Sequence, residues 1–212
     1  MTPTRLFLVR HALVEPSARA MLYGSMDVSL CDVALREEAA LYRWLAARLP
    51  APARWFTTHL SRTRATAAAI FAAGYPETEI ETEPDFAEQH LGEWQGIPHE
   101  ALPALLSRAP HPFWPHHGEE EPPGGESFRT VMARVGGALE RIAQGLEGQD
   151  IVIVAHGGSI RAAIAHAMGL TPDQALAFSI RNLSLTRLER VGGDWRVASV
   201  NEEPWTPPAT ER

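Results

Sequence analysis

The chain has 212 residues, 45% of them hydrophobic, which is enough to bury a full core in one globular unit. A formal net charge of −7 argues against a nucleic-acid surface, and a phosphate ester would feel long-range repulsion except at a local cationic cluster. The single cysteine, Cys31, excludes an internal disulfide framework, and no apolar run approaches the ~20 residues that span a bilayer. The first apolar run is too short for a signal peptide and is interrupted by Arg10, so a cytoplasmic protein without membrane contact is expected.

Leu6-Phe7-Leu8-Val9 is a short continuous apolar run that reads as a strand buried on both faces, with Arg10-His11 directly after it. Residues 12–31 read as a loop, with Tyr23-Gly24 and Asp27 at a pocket rim. Asp32 is expected to cap a helix running to about Arg48, with Leu35, Ala39, Tyr42 and Leu45 along one face and Pro50 and Pro52 as its stop. Trp55 to Thr58 form a second strand, Ser61 starts a helix ending near Gly74-Tyr75-Pro76, and Ile80 to Thr82 form a short third strand.

Residues 97–126 hold a short helical segment followed by Pro110, Pro112, Pro115, Pro122 and Pro123. Lacking strong periodicity, the stretch reads as a lid-like insertion over the strand ends, and its His111, His116, His117 and Glu119 to Glu121 as a solvated loop rather than a metal site. Ser127 is a good N-cap for a helix whose buried stripe is Phe128, Val131, Met132, Val135, Leu139 and Ile142. Ile151 to Ala155 repeat the first pattern, ending in His156-Gly157-Gly158. Ser159 to Met168 form a helix closed by Gly169, and Pro172 begins a short one. Ser184 to Arg190 and Trp195 to Val200 flank Val191-Gly192-Gly193-Asp194 as a hairpin, and the tail from Asn201 reads as loosely ordered. With no repeat and no linker, one domain over residues 1–200 is expected, with the insertion at about 97–126 and the tail at 201–212. The alternation of strands and helices implies a three-layer α/β/α fold.

Ligands of open α/β sheets bind at the carboxyl ends of the strands. Arg10, His11 and His156 can therefore share one anion-binding pocket, suited to an imidazole attacking phosphorus. Between them lie Thr57-Thr58-His59-Leu60-Ser61-Arg62-Thr63-Arg64-Ala65-Thr66, then Glu88, then Gly92-Glu93-Trp94-Gln95-Gly96. This ordered set resembles the histidine phosphatase superfamily, the phosphoglycerate mutase-like proteins, whose members carry Arg-His-Gly after the first strand and Ser-Pro-Leu-x-Arg-Ala-x-x-Thr after the second. A glutamate several residues before Gly-x-Trp-x-Gly follows, and a final His-Gly after a late strand. Arg10-His11, Leu60 with Arg62 and Thr66, Glu88 with Gly92, Trp94 and Gly96, and His156-Gly157 correspond, so the match runs from about residue 5 to about residue 190.

The resemblance implies a mostly parallel sheet with one antiparallel strand, a phosphohistidine formed on His11, and no metal or cofactor. It also implies that Glu88 protonates the leaving oxygen and later activates water, a role that asks for a carboxyl whose pKa burial raises. Arg10 and Arg62 can supply bidentate donors to the phosphoryl oxygens and keep His11 neutral, and His156 can hold the equatorial oxygens. Gly157, Tyr23 and Gly24 join Arg10, Arg62 and His156 as substrate-binding candidates. Three departures stand out: Ala12 for glycine, Thr58-His59 for Ser-Pro, and Thr63 for alanine. A positive φ at Ala12 would cost about 1 kcal/mol, whereas close approach to phosphate alone would cost only some affinity. Tyr23-Gly24 through Asp27 and Leu30, with Gly125-Glu126-Ser127, look most like alpha-ribazole phosphatase and its broad-specificity relatives. The reading is a metal-independent phosphomonoesterase acting on a small phosphorylated metabolite. The alternatives are a phosphoglycerate mutase, whose family members are generally longer, and a non-catalytic phospholigand-binding protein, motivated by Ala12. Oligomeric state is not encoded in any of these patterns.

Overall fold

A computed structural model describes residues 2–204; of the expected tail, residues 205–212 lie outside the described residues. Six strands, β1 (Thr4–Arg10), β2 (Arg54–Thr57), β3 (Ile80–Thr82), β4 (Asp150–Ala155), β5 (Leu185–Val191) and β6 (Asp194–Glu202), form one sheet in the order β3-β2-β4-β1-β5-β6. The first four run parallel, and β5 is antiparallel to both its neighbours, so it alone runs in reverse. The two apolar runs are the central pair, β1 beside β4, with Arg10 opposite Ala155.

Strand alternation sends successive side chains to opposite faces. Leu6, Leu8, Ile151 and Ile153 pack on one side and Phe7, Val9, Val152 and Val154 on the other, all of them buried. Each such side chain contributes about 1.5–3 kcal/mol by leaving water. On the first face lie α5 (Phe128–Gly145) and α6 (Gly157–Met168), through residues such as Val131, Leu139 and Ile160. The second face is covered by α3 (Ala39–Arg48) and α4 (Ser61–Ala72), through Tyr42, Leu45, Ala67 and Ile70. Helix, sheet and helix make the expected three layers. Shorter helices complete the chain: α1 (Pro16–Arg19), α2 (Asp32–Glu37) and α7 (Pro172–Leu176).

Several boundaries differ from the sequence reading. The helix expected from Asp32 to Arg48 is two helices, broken at Glu38 with φ −87° and ψ 15°. No proline or glycine marks that break. Asp32 is the first helical residue and Cys31 the cap, with no side-chain capping bond. Instead of starting at Ser159, α6 begins at Gly157, because the Ser159 hydroxyl accepts the His156 N–H and so caps the helix from within. Strand β6 continues through Asn201 to Glu202, and the Glu202 carboxylate accepts a 2.7 Å bond from Arg48 Nε. Ser127 caps α5 as expected, its hydroxyl accepting the Thr130 N–H, although Met132 is half-buried rather than buried.

Candidate active site

Three parallel strands end together, and the site is built on those ends. Thr57 pairs with Val154 and Arg10 with Ala155, so the next residues, Thr58, His11 and His156, meet above the sheet. The His11 N–H continues the ladder to the Ala155 carbonyl at 2.9 Å. The two imidazoles meet edge to face with centroids 5.2 Å apart, and both are essentially inaccessible.

Hydrogen-bond partners fix both tautomers. His11 Nδ1 lies 2.7 Å from the Ala12 carbonyl, which can only accept, so Nδ1 carries the proton and Nε2 keeps its lone pair. Arg62 Nε can only donate to His156 Nδ1, at 3.3 Å, so Nε2 of His156 carries the proton and donates to Thr58 Oγ1 at 3.0 Å. Burial, then the Arg10 and Arg62 charges, hold the His11 pKa well below 6.5. Burial and Arg62, with smaller contributions from His11, Arg10 and Arg134, do the same for His156. Both rings are neutral at pH 7.

Of the residues that depart from the family pattern, Ala12, Thr58 and Thr63 belong to this network, whereas His59 is exposed. Thr63 Oγ1 donates to the Leu60 carbonyl at 2.8 Å and lies 3.2 Å from Thr58 Oγ1, the acceptor for His156. The Ala12 N–H donates to Thr66 Oγ1 at 2.9 Å. Among the described residues only Leu183 and Asn201 are non-glycine residues with positive φ, so Ala12 carries no left-handed strain.

Arg62, on the first turn of α4, is fully buried, with Nη1 donating to the Met26 carbonyl at 2.6 Å and Nη2 to the Gly24 carbonyl at 2.9 Å. Its guanidinium lies 5.4 Å from the centre of the Tyr23 ring. Tyr23 and Gly24 thus hold an arginine as well as line the cavity. Asp27 is not a free rim group: its carboxylate accepts the Ser61 N–H and hydroxyl, at 2.8 and 2.7 Å, and caps α4. Arg10 Nη1 donates to the Ile180 carbonyl at 2.5 Å, and Asn182 Nδ2 donates to the His11 carbonyl at 2.8 Å. Directly after those partners Leu183 sits buried at φ 58°, its N–H on the Arg10 carbonyl. Such a backbone costs on the order of 1–3 kcal/mol and persists where surroundings over-determine it.

Glu88 faces the same cavity. Its Oε2 accepts the Gly158 N–H at 3.1 Å and its Oε1 the Gln89 N–H at 3.0 Å. The burial asked of Glu88 is partial: the residue is half-buried on the cavity wall. Arg134 of α5 fixes its backbone by donating to the carbonyls of Asp85 (2.6 Å), Ala87 (2.9 Å) and Glu88 (3.3 Å).

The cavity, about 260 Å³, is lined by Arg10, Tyr23, Glu88, Gly157, Trp114 and His116 among others. Trp114 and His116 come from the 97–126 segment, which is knitted to the 12–31 loop by the Met21–Pro98 bridge. The solvated reading fails for His116, which is 2% exposed, beside Trp94 at 5.8 Å, with its pKa lowered by burial. His117 instead faces Asp173, Nδ1 to Oδ1 3.3 Å. Among the described residues no three His, Cys, Asp or Glu side chains are grouped to hold a metal ion, and no helix is long and apolar enough to cross a membrane.

Sequence patterns bring out His11, Arg10, Arg62, Glu88 and His156, and the fold brings all five to one place. They pass over Arg161, Arg134, Asn182 and Trp114. Only Arg161 carries a signal, as a lone charge within the otherwise small and apolar run Gly157 to Ala165.

Known proteins resemble the chain in sequence and in fold. The metal-independent phosphoserine phosphatase of Arabidopsis thaliana is 31% identical over 160 residues, 75% of this chain and 66% of the relative. A 2,3-bisphosphoglycerate-dependent phosphoglycerate mutase of Brucella melitensis is 30% identical over 198 residues, 92% and 95%. Mycobacterial relatives at 32% identity are longer, and the chain spans 42% of their length. A mycobacterial glucosyl-3-phosphoglycerate phosphatase solved with VO3 superposes with a TM-score of 0.79 at 25% identity, covering 94% of this chain and 100% of that one. Structures of alpha-ribazole phosphatase type, 18% and 19% identical, share the fold. The model of the histidine phosphatase superfamily (branch 1) matches residues 6–203, a span that contains every strand end and every charged group of the cavity, and the chain belongs to that superfamily.

Proposed function

We propose that the protein is a phosphomonoesterase that transfers the phosphoryl group of a small phosphorylated metabolite to His11 and then to water. The observation that carries this reading is the tautomer of His11: Nδ1–H is tied to the Ala12 carbonyl, and Nε2 is a neutral, unprotonated nucleophile beside two arginines. Attack by Nε2 forms the P–N bond as the P–O ester bond breaks. The positive charge that develops on the ring is met by the Ala12 carbonyl through Nδ1–H. Arg10 and Arg62 neutralise the phosphoryl oxygens, and the His156 Nε2–H is held where a phosphoryl oxygen can compete with Thr58 for it. Glu88 gives its proton to the leaving oxygen; in the second step its carboxylate takes a proton from the attacking water as the P–N bond breaks. The 97–126 segment acts as a lid, with Trp114 and His116 closing the leaving-group side.

A mutase reading draws on the similarity to the Brucella melitensis protein. Product analysis separates the two: release of inorganic phosphate from the phosphoenzyme supports hydrolysis, and return to a sugar-acid hydroxyl supports transfer. Rapid acid quench with a ³²P-labelled ester tests the shared step, since wild type should carry an acid-labile label and His11→Ala none.

A further inference from the structure

The middle of the 97–126 segment is held by packing rather than by hydrogen bonds. Its two roots are fixed, one by the Met21–Pro98 bridge and the other by the Gly118 N–H, which donates to Asp173 Oδ1 at 2.7 Å. Among the described residues, residues 107–116 make no hydrogen bond to protein outside the segment. His116 rests beside Trp94, and Trp114 rests against the core of the first sheet face and over the guanidinium of Arg161, 4.3 Å from its ring centre. Trp114 lines the cavity, and Arg161 stands behind it.

Arg161, on α6, is only 6% exposed. Its Nε donates to the Phe178 carbonyl at 2.7 Å, and its Nη1 is buried without a partner. Arg10 is its neighbour: a Cβ on Gly157 would meet Arg161 Nη1 at 3.0 Å and Arg10 Cζ and Nε at 3.4 Å, so two guanidiniums press on one glycine. Burial and the Arg10 charge lower the Arg161 pKa to about 10, against a smaller opposing effect of Glu88. Two effects therefore compete when Trp114 covers Arg161. The ring attracts the cation, more strongly out of water than in it. Loss of hydration and repulsion by Arg10 push the other way. A phosphoryl dianion on Arg10 offsets that repulsion and tips the balance toward the covered state.

We propose that Arg161 is a positioning residue that acts through Trp114: it latches the 97–126 segment over the cavity, and the latch tightens when a phosphoryl group sits on Arg10. Arg161 itself touches neither the phosphoryl group nor the leaving group. It makes the enclosure of the cavity depend on the charge the site has to hold. The proposal rests on the phosphomonoesterase reading above for the identity of that anion.

Two measurements test it. The first is a double-mutant cycle on kcat/KM with p-nitrophenyl phosphate. Arg161→Met and Trp114→Leu should each lose about 10-fold, the scale of a cation–π pair out of water, and the double variant should lose no more than either alone. Losses that multiply would mean that Arg161 acts on the chemistry or on α6 directly, and would overturn the latch. Should Arg161→Met not fold, Arg161→Lys takes its place in the cycle, with a smaller loss that must likewise vanish in the Trp114→Leu background. The second measurement needs no turnover: trypsin cleavage after Arg108, which is exposed on the segment, followed by mass spectrometry with and without inorganic phosphate. Phosphate should slow that cut severalfold in wild type and leave it unchanged in Arg161→Met and Trp114→Leu. No protection of wild type, or equal protection of the variants, would overturn the latch. If wild type releases phosphate from no ester, the phosphomonoesterase reading falls, and the trypsin result alone decides for or against the latch.

Discussion

Replacing Gly158 by alanine should disable Glu88 without touching it. A Cβ at position 158 would sit 2.1 Å from Glu88 Oε1 and 3.1 Å from its Cδ. Ordinary contact begins near 3.4 Å, so the carboxylate must retreat by more than an ångström and surrender the 3.1 Å bond it accepts from the Gly158 N–H. A misplacement of about 1 Å costs on the order of 10²-fold, and complete loss of a general acid ~10²–10⁴-fold. The Gly158→Ala rate on an alkyl phosphate should therefore approach that of Glu88→Ala. Nitrophenolate departs without a proton, so p-nitrophenyl phosphate should be slowed much less by either change. The fold should hold, because alanine is the better helix residue by about 1 kcal/mol and the φ at 158 is not positive. Single-turnover release of the leaving group is the assay, since Glu88 also serves the hydrolytic step. Wild-type rates on alkyl esters in Gly158→Ala, or equal losses on both ester classes in Glu88→Ala, would take Glu88 out of the general-acid role.

Four further outcomes are expected. His11→Ala should abolish turnover and the acid-labile phosphoenzyme while far-UV circular dichroism stays unchanged; retained turnover would refute covalent transfer. Because burial, Arg10 and Arg62 depress the His11 pKa, neutral His11 persists as pH falls through 6.5, and the acid limb of kcat/KM should lie below the ordinary imidazole range; Arg62→Gln removes one depressing charge and should move that limb to higher pH, whereas an unmoved limb would assign it to another group. The same depression means that unfolded chains bind protons that folded ones do not, so thermal stability should drop as pH falls below 6.5. Exhaustive chelation should leave turnover intact, since arginine and histidine supply the electrostatics; loss with recovery on adding a divalent ion would recast His116 and His117 as ligands.

The centre of the sheet was legible because burial on both faces leaves an unbroken run rich in branched apolar residues, as in Leu6 to Val9 and Ile151 to Val154. Arg10, His11, Arg62 and His156 were legible because each ends or follows a strand or opens a helix, whereas Glu88 was legible only through the family resemblance, as the glutamate before Gly92-Glu93-Trp94-Gln95-Gly96. What escaped is set by tertiary contact rather than local pattern. Glu38 breaks a helix with no breaker residue, and Leu183 adopts a backbone that its side chain disfavours. His116 reads as a solvated loop residue until Trp94 is placed beside it. Arg161 is conspicuous only in hindsight: a charge amid small and apolar helix residues has to be buried, and buried charge needs a reason.

Strand β1 carries Arg10 at its end and delivers His11, yet its only neighbours in the sheet are β4, which begins at Asp150, and β5, which begins at Leu185. The Arg10 side chain and the His11 carbonyl are then clamped by Ile180 and Asn182. An early segment thus waits for late ones, and a growing chain that stops short of Asp150 holds β1 as an apolar strand with both edges unpaired, the kind of segment that chaperones shield. Pairing over such sequence distances is slow because the loop must close before any contact rewards it. Helices α3 and α4, by contrast, are local and can form early. Turnover regained during refolding would therefore time the insertion of β1 between β4 and β5, and should lag behind any signal from helix formation.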